Sequence, residues 1–273
     1  MILDSVRMSK YEQAISKVVK STDHVVDIGA GLGPLALMAS KRTKNKVVAV
    51  EYIKELADLA RTLLDPNEID VLNTRSYDVN LKNIPDVIVT ETIGPIGPEE
   101  NIVELSYDIK NKYPSIRDFI PGRLKLIAQA ARSEIVSLQK NKHIDTVIGF
   151  SDLSENRFFL TNLLDSYYCD QIYQGDMSDG KSLGDKQLIV EYILGATKSS
   201  EFSVDLIFPT DQNWNVINIF FSADMGAGIT LSNYFELPLT HWLHSYICRP
   251  ESKKNKLRIE YDSNVNQFEI KWY

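Results

Sequence analysis

The chain has 273 residues, of which 44% are hydrophobic and 25% charged, a composition typical of a globular protein long enough for two domains. Thirty basic and 37 acidic residues give a net charge of −7, which argues against broad binding to a nucleic-acid backbone. The two cysteines, Cys169 and Cys248, are too few for a disulfide framework and lack a metal-site spacing, and no apolar run reaches the ~18 residues of a membrane span. We therefore expect a cytoplasmic protein without a bound metal, a membrane span or a nucleic-acid partner.

The first part of the chain alternates strand patterns with helix patterns. A polar, helix-like start at 4–20 precedes four apolar strand patterns, with helical patterns between the first three. The strands are predicted at 24–28, 46–51, 69–73 and 86–91, and the helices at 34–41 and 53–64. This alternation predicts a Rossmann-like, doubly wound parallel sheet whose ligands bind at the carboxyl ends of the strands.

The pattern changes around 114–121. Beyond it, strand-like runs with hairpin-sized polar breaks lie at 123–128, 187–194, 201–208, 214–222 and 257–261. They predict a mostly antiparallel β-barrel or sandwich, and we divide the domains at 1–120 and 121–273. The segment 151–173 carries Phe, Leu and Tyr at helical spacing, and forms either core or a helical dimerisation arm that packs on a second subunit.

A glycine turn follows the first predicted strand. Asp27 precedes Gly29, Gly31 and Gly33, whose spacing by two differs from the G-x-G-x-x-G order of dinucleotide sites. Glu51 ends the second strand, where an acid can accept hydrogen bonds from both hydroxyls of a ribose. This order resembles the class I S-adenosylmethionine-dependent methyltransferases, which implies S-adenosyl-L-methionine as cofactor. Asp27 either caps the turn, contacts the ligand, or does both.

Two further candidates follow the third strand. Asp78 is placed to accept from the amino group of an adenine, and Tyr77 is a competing or stacking candidate. Both residues are equally consistent with a solvated loop.

An acidic loop follows the fourth strand. Glu91 and Glu100 bracket the segment Thr-Ile-Gly-Pro-Ile-Gly-Pro-Glu, whose glycines and prolines exclude a regular helix or strand. If the loop folds back, the two carboxylates face each other, and at ~4 Å with an effective dielectric of ~20 they repel by about 4 kcal/mol. A proton, a metal ion or an organic cation would relieve that repulsion, unless both acids are solvated.

With the cofactor site beside it, the acidic loop resembles the double-glutamate loop of the protein arginine methyltransferase family. The two acids stand nine positions apart, as they do in that family. Three other segments also resemble it: Leu239-Thr-His-Trp242, Gly149-Phe-Ser-Asp-Leu-Ser154, and Met1-Ile-Leu-Asp4-Ser-Val-Arg7 followed by Tyr11. The loop interior differs, because Thr92-Ile93 replaces the family's Trp-Met and 96–98 lacks its aromatics.

The resemblance implies a role for each matched residue. Glu91 and Glu100 would bind a guanidinium, and Arg7 would pair with the cofactor carboxylate in the helix that starts at Met1. Asp4 would hold His241, which acts as proton acceptor or as loop positioner, with Glu100 as an equal candidate for the proton. Ile102 stands where many members have a methionine. We therefore expect the control over how many methyl groups are added, and to which nitrogen, to differ from the family's. Trp242 either contacts the acceptor or packs between the domains.

The resemblance predicts an enzyme that methylates the guanidino group of arginine. The acceptor would be arginine within a protein or peptide, free arginine, or a related small guanidino compound. The resemblance also predicts a homodimer. The altered loop interior favours a different acceptor, in which case the chain is a small-molecule N- or O-methyltransferase. A third reading is a non-catalytic scaffold that binds the cofactor, although a scaffold has no evident need for Asp4, Arg7, Glu91, Glu100 and His241 together.

Overall fold

The computed structural model describes residues 3–149, 157–210, 213–238 and 240–273. It contains two compact units. The first comprises Met1–Lys125, Glu191–Ser200 and Ser222–Ser232, and the second Leu126–Val190, Glu201–Phe221 and Asn233–Tyr273. Within the described ranges, none of the helices has the length and apolar character needed to cross a membrane.

The first unit is built on a five-stranded parallel sheet with strand order β3-β2-β1-β4-β5. Its elements are α1 (Ser5–Val18), β1 (Val25–Ile28), α2 (Pro34–Ser40), β2 (Val47–Glu51), α3 (Lys54–Leu63), β3 (Ile69–Asn73), β4 (Val87–Thr90), α4 (Ile102–Lys112) and β5 (Asp118–Ile120). The prediction of a Rossmann-like parallel sheet is confirmed.

The central strands of this sheet bring two loops together. Every residue of β1 and β4 is buried, because both strands have neighbours on each side. Their parallel register pairs Ile28 with Thr90, the last residue of each strand. The glycine turn after β1 and the acidic loop after β4 therefore leave the sheet side by side.

The sequence patterns had not predicted α4 or β5. α4 buries Ile102, Leu105 and Ile109 at helical spacing, but charged residues between them obscure the pattern. β5 has only three residues and lies within the segment interpreted as a change of character. It extends the parallel sheet by pairing with β4.

The rest of the chain is mostly antiparallel, as predicted. Its elements are β6 (Arg123–Arg132), α5 (Glu134–Gly149), α6 (Arg157–Cys169), β7 (Tyr173–Gly175), β8 (Lys181–Ser182), β9 (Gln187–Ile193), β10 (Phe202–Ile207), β11 (Val216–Gly226), β12 (Ile229–Ser232), β13 (His244–Cys248), β14 (Lys256–Asp262) and β15 (Gln267–Trp272). One sheet has the order β10-β14-β15. The other has the order β7-β13-β11-β6-β8, with β12 paired to β11 and β9 to β6.

The segment 151–173 contains α6. Residues 151–156, which carry most of the Gly149–Ser154 resemblance, lie outside the described ranges. On α6 the large side chains of Phe159, Leu163 and Tyr167 are 66%, 54% and 66% exposed.

Candidate active site

The glycine turn between β1 and α2 has open space at its middle glycine, Gly31. Gly29, Gly31 and Gly33 all have positive φ angles, of 73°, 55° and 80°. Side chains are strained in this region of conformational space, so glycine is needed. A Cβ atom built on Gly31 would meet no heavy atom within 4 Å. The turn thus leaves room for a ligand to approach its backbone.

Glu51, the last residue of β2, is joined to this turn. Its Oε2 accepts a hydrogen bond from the Gly31 amide at 2.8 Å, and its Oε1 accepts one from the Ile53 amide at 2.7 Å. Each carboxylate oxygen can accept a second bond, so Glu51 can hold the turn and still receive ribose hydroxyls.

Asp27 is a buried cap of α2. Its Oδ2 accepts a hydrogen bond from the Ala36 amide at 2.9 Å, in the first turn of that helix, where a negative charge is favourable. Its Oδ1 is buried and has no hydrogen-bond partner among the residues the structure describes. Burial raises the pKa of Asp27 to about 7. The hydrogen bond from the Ala36 amide lowers this pKa, and the negative charge of Glu51 raises it further. The capping role is therefore present, and one oxygen is left for a ligand.

The loop after β3 carries Tyr77 and Asp78, both exposed. The Asp78 amide donates to the Arg75 carbonyl in a turn. Arg75 also covers the ring of Tyr52 at 4.7 Å and donates to its hydroxyl at 3.0 Å. Tyr52 directly follows Glu51 and is 58% exposed, a candidate that the sequence reasoning missed although an aromatic beside that acid was visible.

The start of the acidic loop packs on the glycine turn. Thr90 Oγ1 donates to the Ile28 carbonyl at 2.9 Å and lies 3.1 Å from Thr92 Oγ1. A Cβ atom on Gly29 would be 3.0 Å from Thr92 Cγ2. Thr92, which stands where the resembled family has tryptophan, therefore lies against the glycine turn.

Arg7 links the start of α1 to the acidic loop. Its Nη1 donates to Glu91 Oε1 at 2.8 Å, and its Nε donates to Asp4 Oδ2 at 3.3 Å. Asp4 caps α1, because its Oδ1 accepts from the Arg7 amide at 3.0 Å. The three side chains are only 4 to 11% exposed, so this ion-pair chain is shielded from water.

The charge of Glu100 acts on the other acid of the loop, Glu91. Burial raises the pKa of Glu91 to about 7, Arg7 opposes the rise, and the charge of Glu100 adds to it. Partial burial also raises the pKa of Glu100, again opposed by Arg7. The loop thus places two carboxylates close enough to interact, an arrangement that a bound cation would stabilise.

Glu99 is a second functional candidate that the sequence reasoning passed over. Its Oε1 accepts from the Ile96 amide at 2.8 Å and its Oε2 from the Gly97 amide at 2.6 Å. Burial raises its pKa. The signal available in the sequence was an acid just after a glycine-proline turn, whose amides need acceptors.

The remaining predicted residues are distributed between the two units. Ile102 is the first residue of α4 and is fully buried. Trp242 belongs to the second unit, where its ring meets Phe221 edge-on at 4.8 Å. His241 is exposed in the turn before β13. Met1 and Leu239 lie outside the described residues, and the pairing of Asp4 with His241 stays a prediction.

No protein-family model matches the chain. It is 25% identical over 259 residues to an arginine N(omega)-methyltransferase of Streptomyces achromogenes subsp. streptozoticus, covering 90% of this chain and 69% of that protein. It is 36% identical over 148 residues to the protein arginine N-methyltransferase PRMT10 of Arabidopsis thaliana, covering 52% of this chain but only 38% of the plant protein. The chain thus spans well under half of the plant relative's length.

A solved structure shares the fold. The PRMT1 enzyme-prozyme heterotetrameric complex with AdoHcy from Trypanosoma brucei superposes with a TM-score of 0.78 at 17% identity, covering 99% of this chain and 90% of that one. At such low identity the likeness concerns the fold alone.

The Rossmann-like sheet, its glycine turn and the acid ending β2 form the arrangement typical of class I S-adenosylmethionine-dependent methyltransferases. Within that class, the chain is similar in sequence to the two proteins named above as arginine methyltransferases.

Proposed function

We propose that this protein transfers a methyl group from S-adenosyl-L-methionine to a guanidino nitrogen of arginine, free or within a peptide or protein, or of a related small guanidino compound. The observation that carries the proposal is the pair Glu91 and Glu100, two interacting carboxylates on a loop in contact with the glycine turn. The names of the two sequence relatives, both arginine methyltransferases, support the same acceptor.

The residues at the strand ends fit this cofactor. The positive-φ glycines and the open space above Gly31 admit a ligand close to the backbone, and Glu51 can accept from ribose hydroxyls. The partnerless Oδ1 of Asp27 offers a buried acceptor for a polar ligand group. We propose that Arg7 binds the carboxylate of the cofactor and that Met1 contacts the same end of the cofactor. Tyr77 and Asp78 would contact its adenine. The cofactor supplies a methyl group on a positively charged sulfur.

Glu91 and Glu100 would bind and orient the acceptor. A guanidinium is cationic at any accessible pH, so its approach to a second cation is unfavourable unless the site supplies negative charge. Arg7 holds Glu91 Oε1, so we assign Oε2 to the acceptor. Paired hydrogen bonds from the planar guanidinium to the two carboxylates would fix which nitrogen faces the methyl group.

The attacking nitrogen loses a proton as it gains the methyl group. Glu100 and the predicted pair of Asp4 with His241 are the two candidate acceptors. We assign Ile102 and Trp242 to the surroundings of the acceptor. Positioning and charge stabilisation would supply most of the acceleration, and no covalent bond to the protein is needed.

The test uses labelled donor with arginine, arginine peptides and small guanidines. We expect transfer to at least one guanidine, and a loss of kcat/KM on the order of 10²-fold for Glu91→Gln and Glu100→Gln, the size typical of removing one stabilising polar group. Glu12→Gln, which removes an exposed acid on α1, is the control. Transfer only to an amine or a hydroxyl would show that the acceptor is wrong, and donor binding without any turnover would indicate a scaffold.

We also propose that the protein is a homodimer that uses the segment 151–173, which contains α6. Phe159, Leu163 and Tyr167 recur every four residues on one face of α6 and are more than half exposed, whereas such large apolar side chains favour burial in an interface. The heterotetrameric assembly of the Trypanosoma brucei protein supports an oligomer.

Sedimentation at micromolar concentration tests this assembly. We expect a dimer for the parent protein and a monomer for Leu163→Lys, because a charge would be buried without a partner. Asn162→Lys adds the same charge beside the apolar row and should stay dimeric. A monomeric parent protein would refute the proposal.

Three broader assignments also stay proposals. They are a cytoplasmic location, a domain division at 120/121, and closure of the antiparallel strands into a barrel.

A further inference from the structure

The acidic loop is folded by a third carboxylate, that of Glu99. Both oxygens of Glu99 accept backbone amides from the same loop, Ile96 at 2.8 Å and Gly97 at 2.6 Å. The Gly94 amide donates to the Gly97 carbonyl at 3.0 Å and closes the turn. The carboxylate therefore acts as a clamp, defined here as Glu99 with the amides of Ile96 and Gly97.

The clamp leaves no room for a side chain at Gly94. A Cβ atom there would lie 2.8 Å from Glu99 Cδ and 2.9 Å from Glu99 Cβ. Real Cβ atoms do not approach other carbons so closely, so any larger residue would force the Glu99 side chain away. Gly94 and Glu99 thus depend on each other through direct contact.

The clamp also determines where Glu100 lies. Glu99 and Glu100 share a single 3₁₀ turn, Pro98–Glu100, which the Asn101 amide closes by donating to the Pro98 carbonyl at 2.9 Å. On the far side, Ile102 begins α4 and is fully buried. The backbone of Glu100 is therefore held by the clamp before it and by the packed helix after it.

We propose that Glu99 is a positioning residue, which holds Glu100 at a fixed place relative to Glu91 before the acceptor binds. This inference rests on the proposed function, because it concerns the binding of a guanidinium by those two acids. A guanidinium is a rigid planar fork that needs both carboxylates at one separation, whereas an ammonium is a compact charge with rotatable donors. The clamp therefore favours a guanidine over an amine as acceptor.

Glutamine cannot replace Glu99 in this role. Two amide donors require two acceptor atoms, and a carboxamide offers one oxygen while its NH₂ group would face an N–H. Glu99→Gln therefore breaks one clamp bond at almost constant size. Gly94→Ala breaks the clamp differently, by steric overlap, and leaves the charge of Glu99 in place.

The experiment compares these two variants, their combination and the exposed control Glu12→Gln. Michaelis constants for a guanidine acceptor are measured at saturating donor, and S-adenosylhomocysteine affinity is measured by calorimetry. We expect each single variant to raise the acceptor KM by about tenfold, the loss that corresponds to one such bond, with a smaller change in kcat. The double variant should be no worse than the poorer single variant, because both changes break the same clamp. S-adenosylhomocysteine affinity should stay within about twofold of the parent value, since the donor residues are untouched.

Two results would overturn the inference while leaving the proposed function intact. One is an active parent protein whose acceptor KM is unchanged in both single variants. The other is a parallel loss of S-adenosylhomocysteine affinity and thermal stability, which would show that Glu99 only supports folding. A parent protein that methylates no guanidine would instead refute the proposed function, and the inference with it.

Discussion

At the residue scale, the site combines an ion-pair chain held out of water, Asp4, Arg7 and Glu91, with the exposed carboxylate of Glu100. Arg7 contacts Asp4 and Glu91 directly and lowers the pKa of Glu100. The single positive charge of Arg7 thus interacts with three carboxylates. The site therefore keeps an excess of negative charge. Such a site attracts a cation more strongly than any single surface carboxylate would.

The raised pKa of Glu91 predicts a pH dependence of activity. A carboxyl group with a pKa of about 7 is largely protonated below that pH and then lacks the charge that binds a guanidinium. We expect kcat/KM, measured at saturating donor, to rise with pH up to about 7 and then level off. Arg7→Gln should move the rising limb to higher pH, because Arg7 lowers the pKa of Glu91. A flat profile between pH 6 and 8 would contradict this role of Glu91.

At the scale of elements, α1 is attached to the end of β4. Tyr11 is fully buried and its hydroxyl donates to the Thr90 carbonyl at 2.8 Å, while Arg7 holds Glu91, the next residue. The helix therefore contributes both a charge to the site and support for the strand that carries the acidic loop.

Tyr11→Phe removes only the hydroxyl of this attachment. The Thr90 carbonyl then loses a buried donor, and we expect the free energy of unfolding to fall by about 1–2 kcal/mol. Urea denaturation followed by circular dichroism measures the change. Tyr273→Phe, at a 47% exposed tyrosine, is the matched control and should unfold like the parent protein. Equal stability of both variants would show that the attachment contributes little.

At the scale of the whole molecule, buried acids couple folding to pH. Asp27 and Glu91 both have pKa values of about 7 when folded, above the unfolded values near 4. Between these pH values the folded state binds more protons than the unfolded state. The contribution of these two groups to stability is therefore complete at low pH and is lost as pH rises toward about 7.

Asp27→Asn tests this coupling. We expect the parent protein to lose stability from pH 5 to 7.5 and the variant to lose less, because asparagine does not titrate. Melting temperatures across that pH range, without cofactor, give the comparison. The same pH dependence in both proteins would mean that Asp27 is ionised in the folded state throughout.

Much of the fold could be predicted from local patterns. The strand 46–51 and the helix 53–64 were predicted within a residue or two of β2 and α3, because apolar spacing follows the geometry of each element. Two elements were not predicted. Charged residues interrupt the apolar spacing of α4, and the three residues of β5 are too few to carry a periodic signal. The roles of Tyr52, Thr92 and Glu99 were not predicted for another reason. Their contacts are with residues distant in sequence or with backbone groups.

The sequence by itself determined the class of the fold, the glycine turn with Glu51, and the two acids spaced as in a known family, because these depend on residue order and spacing. The tertiary structure decided which groups meet. Arg7 and Glu91 are 84 positions apart and touch only because α1 packs at the end of β4. The acidic loop lies beside the glycine turn only because β1 and β4, distant in sequence, are neighbours in the sheet. Its shape depends on Glu99, since hydrogen bonds to backbone amides form only once the chain has already turned.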